Sequence, residues 1–582
     1  MSGSIYLNEK DEFEEPIRKT KSTFKKLIKW GLLSVAAITL ISSALTYHQY
    51  INDNSLEFLN ESKICPKGDI IRPQSFLKDN SSIEEIIYSK DYRLDSIKKL
   101  SGAVKIPTVT NDTVKSPIDS PSDWNEFARF HWFLESQFPL VYSKLKVEKI
   151  NKYGLLFTWE GSNSDLKPLL LLAHQDVVPV EPVTLKDWKF PPFDGEYDDE
   201  FIYGRGSSDC KSLVIGYLQA FEKLLKDDFE PNRTHLIALG FDEEIGGPWG
   251  AATISKILED RYGKDSIFAV LDEGGSSVEI IDDIPIALPS IGEKGSLNSI
   301  ISLTTPGGHS SIPPDHTNIG IFAKLLNEIE STPFDSNLSA NNPVLNYLQC
   351  VAKHTNSIPN DVKNSIFKAG YDSLANSKVI EYLSKIRELK YSVRTSQAID
   401  IFNGGIKSNA LPEFSEVVIN HRVAIESSID ETISKILNNV KNIADEFDLG
   451  IYLNDQEIKP KSINGYFNLD YSKGGLNPAK VSPVDNESFN LFRGSIKHIL
   501  NDYVYPNLNE PIVAGNLNSG NTDTNRYWSL SDNIYRYKFS TLNGLIGAGT
   551  HSVNEKVKID DLISLIAFIY EYVRNVDEFQ EY

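Results

Sequence analysis

Three stretches of this chain are apolar without alternation and then stop at acids or an imidazole: KPLLLLAHQD at 167–176, THLIALGFDEE at 234–244 and SIFAVLDEG at 266–274. An unbroken apolar run is how a strand covered on both faces reads, and such strands present ligands at their carboxyl ends. Before and between them the apolar positions recur with a period of 3.6. WNEFARFHWFLESQF, SLVIGYLQAFEKLLK and WGAATISKILEDRY have helical spacing. This strand–helix–strand rhythm predicts an α/β sheet with covered faces over residues 124–294.

The rhythm breaks near Gly295. SLNSIISLTTPGGHSS predicts an edge strand of another domain, followed by a helix from Ile319 to Glu330, a strand at SEVVINHRVAI and a helix at ETISKILNNVKNIADEF. Residues 295–474 therefore read as a second, α+β domain inserted into the first, with a mostly helical stretch from Asn341 to Asp400. Residues 475–582 return to the first domain and end in the helices FNLFRGSIKHIL and DDLISLIAFIYEYVRNV.

The N-terminus follows different rules. Trp30 to Asn52 contain no Asp, Glu, Lys or Arg, and six Lys and Arg residues from Arg18 to Lys29 precede them. The stretch is long enough for one tilted membrane helix, and the positive flank keeps the tail 1–29 cytosolic. The alternative is a cleaved signal peptide, which the long basic tail and the lack of an A-x-A site disfavour. Residues 53–123 read as a stalk and helical extension. Beyond the anchor lie six N-x-S/T acceptors, Asn60, Asn80, Asn111, Asn232, Asn337 and Asn486, as expected of a lumenal chain. Cys65 and Cys350 either pair in that compartment or stay as buried thiols. With 582 residues, 40% of them hydrophobic, the chain holds more than one globular domain, and its net charge of −21 argues against nucleic-acid binding.

The chemistry lies in the order of seven residues: His174, Asp176, Asp209, Glu243, Glu244, Asp272 and His551. A paired-metal site needs two imidazoles, several carboxylates and one carboxylate shared between the ions, and this set supplies them. Asp176, two positions after His174 on a strand end, points the same way and can orient its imidazole. Glu243 and Glu244 are adjacent and cannot do the same job; the residues alone leave open which one binds metal.

From Trp124 onward these motifs resemble the M20 family of co-catalytic zinc peptidases, in particular its fungal carboxypeptidase S branch, which is vacuolar. The resemblance implies two Zn²⁺ ions per subunit. His174 and Glu244 would hold one and Asp272 and His551 the other, with Asp209 between them and Glu243 as general base. Many relatives carry a second Asp where Cys210 stands, and some have a cis peptide before it. The resemblance makes residues 124–294 and 475–582 the catalytic domain and 295–474 its inserted lid, which the stretch 341–400 makes larger than a minimal lid. In that lid His309 of TTPGGHSS would stabilise an oxyanion, and Asn409 and Arg422 would hold the substrate, with Arg394 and Arg526 as rivals for its carboxylate. Thr522 and Asp523 of SGNTDTNRYW match the family's substrate loop. The implied activity is a membrane-anchored metallocarboxypeptidase acting on short peptides. N-acyl amino acids are the alternative substrates, and a non-catalytic receptor or scaffold is the remote alternative. Lysines of the cytosolic tail would be open to ubiquitin-directed sorting machinery.

Overall fold

The computed structural model describes residues 64–274, 278–542 and 544–580. The tail, the anchor stretch 30–52 and Asn60 lie outside these residues. Among the described ones no helix is long and apolar enough to cross a membrane.

A mixed eight-stranded sheet carries the catalytic region. Its order is Lys146–Ile150, Gly154–Trp159, His235–Gly240, Leu169–His174, Ala269–Asp272, Ile534–Arg536, Ser290–Glu293 and Asn516–Asn518. The central strand Leu169–His174 runs parallel to both neighbours. All six of its residues are buried, because alternate side chains enter two different cores. Leu169, Leu171 and Ala173 face the helices Lys211–Lys226, Glu487–Ile499 and Ile559–Glu578. Leu170 and Leu172 meet Ile254 and Leu258 of the helix Ala251–Tyr262 on the other side. Each such leucine contributes about 1.5–3 kcal/mol by burial. The unbroken apolar runs are thus the signature of two-sided cover.

The lid has its own sheet, ordered Ala398–Gly404, Phe414–Val423, Gly295–Thr304, Tyr466–Asp470, Gly450–Leu453 and Gln456–Lys459. Burial alternates along Gly295–Thr304 and Phe414–Val423, since one face packs on the helices Asn318–Ser331 and Ile429–Glu446 while the other stays open. Gly295–Thr304 is not an edge strand as its sequence suggests. It pairs with Phe414–Val423 on one side and Tyr466–Asp470 on the other. Alternation reports how many faces are covered and says nothing about how many neighbours a strand has.

The helical stretch after Asn341 does not extend the lid sheet. Its first helix, Pro343–His354, packs on the outer catalytic strand Asn516–Asn518, and Asn346 Oδ1 accepts the Gly515 N–H at 2.7 Å. Cys350 on this helix forms a disulfide with Cys65. The helices Ser81–Tyr88 and Lys90–Val104 pack on Ile559–Glu578. Among the glycosylation acceptors, Asn111 and Asn337 are exposed, as is Asn80, whose amide donates to Glu84. Asn486 and Asn232 spend their amide N–H groups internally, on Asn533 at 2.8 Å and Asp577 at 3.0 Å.

Candidate active site and metal centre

Asp209 is the point where two imidazoles meet. Its Oδ1 lies 3.1 Å from His174 Nε2 and its Oδ2 lies 3.1 Å from His551 Nε2. A second carboxylate accompanies each imidazole. Glu273 Oε1 is 3.1 Å from His174 Nε2, and Glu244 Oε2 is 3.1 Å from His551 Nε2. The ligand atoms of His174, Asp209, Glu273 and Cys210 lie within 4.8 Å of one another, and so do those of Asp209, Glu244 and His551. Three carboxylates and two imidazole nitrogens thus converge, and Glu244 Oε1 is buried with no hydrogen-bond partner. This donor set fits metal cations with a nitrogen- and oxygen-rich shell.

Two placements differ from the ligand set that the resemblance implies. Asp272 is not in either group; Glu273 takes the place expected of it. Asp272 is the last residue of the strand Ala269–Asp272, and Glu273 follows it outside the strand. Asp272 Oδ1 accepts the Glu273 N–H at 2.8 Å and its Oδ2 is buried without a partner. Burial, with Glu273 adding, pushes its carboxyl up to about 8. The pairing also changes: His174 goes with Glu273 and His551 with Glu244, where the sequence reading joined His174 to Glu244 and His551 to Asp272. Cys210, joined to Asp209 by a cis peptide, is buried, and its Sγ accepts the His174 N–H at 3.2 Å.

Asp176 organises the site. Its Oδ1 accepts the Glu243 N–H and its Oδ2 the Glu244 N–H, both at 3.1 Å, and Thr110 Oγ1 donates to Oδ2 at 2.8 Å. The hydrogen bond of His174 Nδ1 goes to the Asp176 carbonyl oxygen at 3.0 Å, while the carboxylate stands 3.3 Å away. Asp176 therefore orients the imidazole through its carbonyl oxygen and its carboxylate, and the same side chain holds the turn that splits the adjacent glutamates. Glu244 points to His551. Glu243 belongs to neither ligand group. Burial, opposed by His174 and reinforced by Glu273, Asp523 and Glu244, holds its carboxyl well above the usual range. Asp523 is buried beside this turn: a Cβ at Gly240 or Gly247 would come within 2.4 Å of its carboxylate oxygens.

Thr522 is also buried, and its hydroxyl donates to Glu293 at 2.9 Å, so it braces the loop from inside. Arg422, on a lid strand, reaches the same loop. Its Nη1 donates to Asn521 Oδ1 at 2.8 Å, and Asn521 in turn donates to the Lys294 carbonyl at 2.7 Å. Of the rival arginines, Arg394 donates to Ser336, and Arg526 donates to the Gly246 carbonyl at the end of the Glu243–Ile245 turn. His309 and Asn409 come together at an exposed tip of the lid, where His309 pairs with Ala410 across a short ladder. Ser311 N–H donates to His309 Nδ1 at 3.1 Å, which leaves Nε2 to carry the proton of the neutral ring. The structure does not bring this pair into the Asp209 cluster.

Sequence reasoning missed Glu273 and Glu555. Glu273 had a signal, the second acid of LDEGG; Glu555, in THSVNEKV, had none beyond lying four positions after His551.

Known proteins are similar to this chain over most of its length. Residues 170–575 match the family model described as peptidase family M20/M25/M40. Carboxypeptidase S of Saccharomyces cerevisiae is 44% identical over 517 residues, covering 88% of this chain and 89% of the relative. The human N-fatty-acyl-amino acid synthase/hydrolase PM20D1 is 32% identical, covering 85% and 90%. The crystal structure of human carnosine dipeptidase 1 superposes with a TM-score of 0.59 at 12% identity, covering 87% of this chain and 100% of that one. With imidazole–carboxylate pairs meeting on one aspartate and most of the chain matched, this protein belongs to the M20/M25/M40 peptidase family of metal-dependent hydrolases.

Proposed function

We propose that the chain is a two-zinc carboxypeptidase that cleaves the C-terminal amide of short peptides. The observation that carries this reading is the convergence of His174–Glu273 and His551–Glu244 on the two oxygens of Asp209. His174, Glu273 and Asp209 would hold one ion and His551, Glu244 and Asp209 the other. When bound, zinc supplies Lewis acidity and lowers the pKa of water toward neutral. Glu243 takes the proton of the attacking water and returns it to the leaving amine. Asp176 keeps Glu243 and Glu244 turned apart, and His309 donates from Nε2 to the developing oxyanion once the lid carries it there. Carboxypeptidase S supports the peptide substrate. The relative that acts on N-fatty-acyl amino acids keeps a second substrate class in play, because both classes place a carboxylate beside the scissile amide. Zinc content, measured beside turnover of a blocked dipeptide and an N-fatty-acyl amino acid, tests the reading; a metal-free or inactive protein would sink it.

Arg422 is our candidate for that carboxylate. Burial lowers its pKa only relative to a very high starting value, so it stays charged. Arg422→Ala is expected to raise KM for free acids by about 10–100-fold, equivalent to the 1.5–3 kcal/mol of a charged hydrogen bond. C-terminal amides should be nearly unaffected. Equal losses on acid and amide substrates would remove Arg422 from this role.

Proton competition sets the pH dependence. In the metal-free protein, hydrogen bonds to Asp209 and then Glu244 push His551 up to about 10, against about 6.5 unfolded. That contact stabilises the fold fully below about pH 6.5 and is lost as pH rises through 10. Zinc must displace this proton, so zinc uptake at pH 7 should release protons and apparent affinity should weaken as pH falls. Proton release followed with an indicator dye in weak buffer checks this; uptake without release would contradict it.

We place the catalytic region in the vacuolar lumen, behind the expected anchor and cytosolic tail. The Cys65–Cys350 disulfide supports an oxidising compartment, and the exposed Asn111 and Asn337 support glycosylation. A mobility shift on glycosidase treatment is expected; an unglycosylated, cytosolically accessible chain would refute the placement.

A further inference from the structure

Building on the two-zinc reading, we propose that Glu555 is a positioning residue that sets the separation of the Asp209 and His551 loops, with Arg205 as its counter-charge. Glu555 is fully buried, four residues after His551. Its Oε1 accepts three backbone N–H groups, from Gly206 at 3.0 Å, Ser208 at 3.0 Å and Asp209 at 3.1 Å. Its Oε2 accepts from Arg205 Nη1 at 2.6 Å. Its carbonyl oxygen takes the Gly204 N–H at 2.8 Å. One residue of the His551 loop therefore ties the segment leading into Asp209 at every turn. The segment is shaped for this. Gly204 and Gly206 sit at φ 144° and 85°, and a Cβ on Gly206 would come within 2.5 Å of Val177. Successive N–H groups aimed at one point form an anion nest, here filled by a side chain of the protein itself. From another direction Lys538 Nζ donates to the Ser208 carbonyl at 3.0 Å.

Only a carboxylate serves both sides. A glutamine that turns its carbonyl to the three N–H groups presents its own NH₂ to the Arg205 guanidinium, donor against donor; the flipped amide opposes the nest instead. The consequence reaches the site through Asp209, whose own N–H is one of the three. Asp209 must offer one oxygen to each imidazole, and His551 is the more vulnerable partner. It lies half exposed in the loop that Glu555 anchors, whereas His174 sits on the central strand.

Three full-length proteins decide this: wild type, Glu555→Gln, and Glu555→Gln combined with Arg205→Met, which removes the opposing donor. Each is equilibrated against buffered zinc, and zinc per chain, kcat and KM on one dipeptide and the melting temperature of the metal-free protein are measured. Wild type should take two zincs. Glu555→Gln should need about 10–100-fold more free zinc for the second ion. Its kcat should fall in step with occupancy and recover at high zinc, with KM unchanged. The double variant should regain most of the affinity. An unchanged zinc curve in Glu555→Gln overturns the proposal. So does equal loss of both ions with a lowered melting temperature that the double variant does not rescue, since Glu555 would then serve only the fold. A wild type that binds fewer than two zincs refutes the metal reading itself, and this proposal falls with it.

Discussion

Glu243→Gln should keep zinc at the wild-type level and lose turnover by about 10²–10⁴-fold or more, the range for removal of a general base. Sequence cannot separate Glu243 from Glu244, which are neighbours of the same chemistry. The structure separates them through one buried acid. Asp176 accepts both of their backbone N–H groups, and the short helical turn Glu243–Ile245 then sends the two side chains apart. Glu244 Oε2 meets His551, while Glu243 stays outside both ligand groups. A buried carboxyl whose pKa is raised holds a proton more firmly than a free one, which suits a group that must take a proton and return it. The glutamine variant preserves shape and hydrogen-bonding volume, so the loss should fall on kcat. Metal analysis beside kinetics checks it. If Glu243→Gln loses zinc and Glu244→Gln keeps it, the two roles are exchanged.

A second contrast tests the departure from the sequence reading. Glu273→Gln should lose the ion on the His174 side and at least about 100-fold in activity, more than the 10–100-fold typical of changes one contact further out. Asp272→Asn should retain both ions and most of the activity. The motive is geometric: Glu273 Oε1 is 3.1 Å from His174 Nε2, while Asp272 stands in neither ligand group and accepts the Glu273 N–H. Zinc stoichiometry of the two purified variants is the deciding measurement. Zinc loss in Asp272→Asn with retention in Glu273→Gln would restore the sequence assignment.

Much of the fold could be read from local pattern. Unbroken apolar runs mark strands covered on both sides, as at Leu169–His174, and a 3.6 period marks the helices Lys211–Lys226 and Ile559–Glu578 that cover them. These signals survive in one dimension because they depend on spacing along a single element. The neighbours of a strand leave no such trace, which is why Gly295–Thr304 reads as an edge yet pairs on both sides.

The same division runs through the site. His174, Asp209, Glu244 and His551, which the structure brings together, stand out in the sequence because each follows an apolar run or lies in a short motif, and the resemblance to zinc peptidases rests on those motifs. Three things depended on contacts between distant segments: which imidazole faces which carboxylate, which of Asp272 and Glu273 turns inward, and whether Cys65 meets Cys350 across a separation of 285 residues. Glu555 is the extreme case. Its partners Gly206, Ser208 and Asp209 lie 346 to 349 residues earlier in the chain. An isolated glutamate in a surface-like motif carries no mark of that role. Side-chain direction at a strand end and the convergence of loops are set by packing of whole elements, so residue identity and spacing name the candidates for a metal site, and only the assembled sheet and its loops pair them.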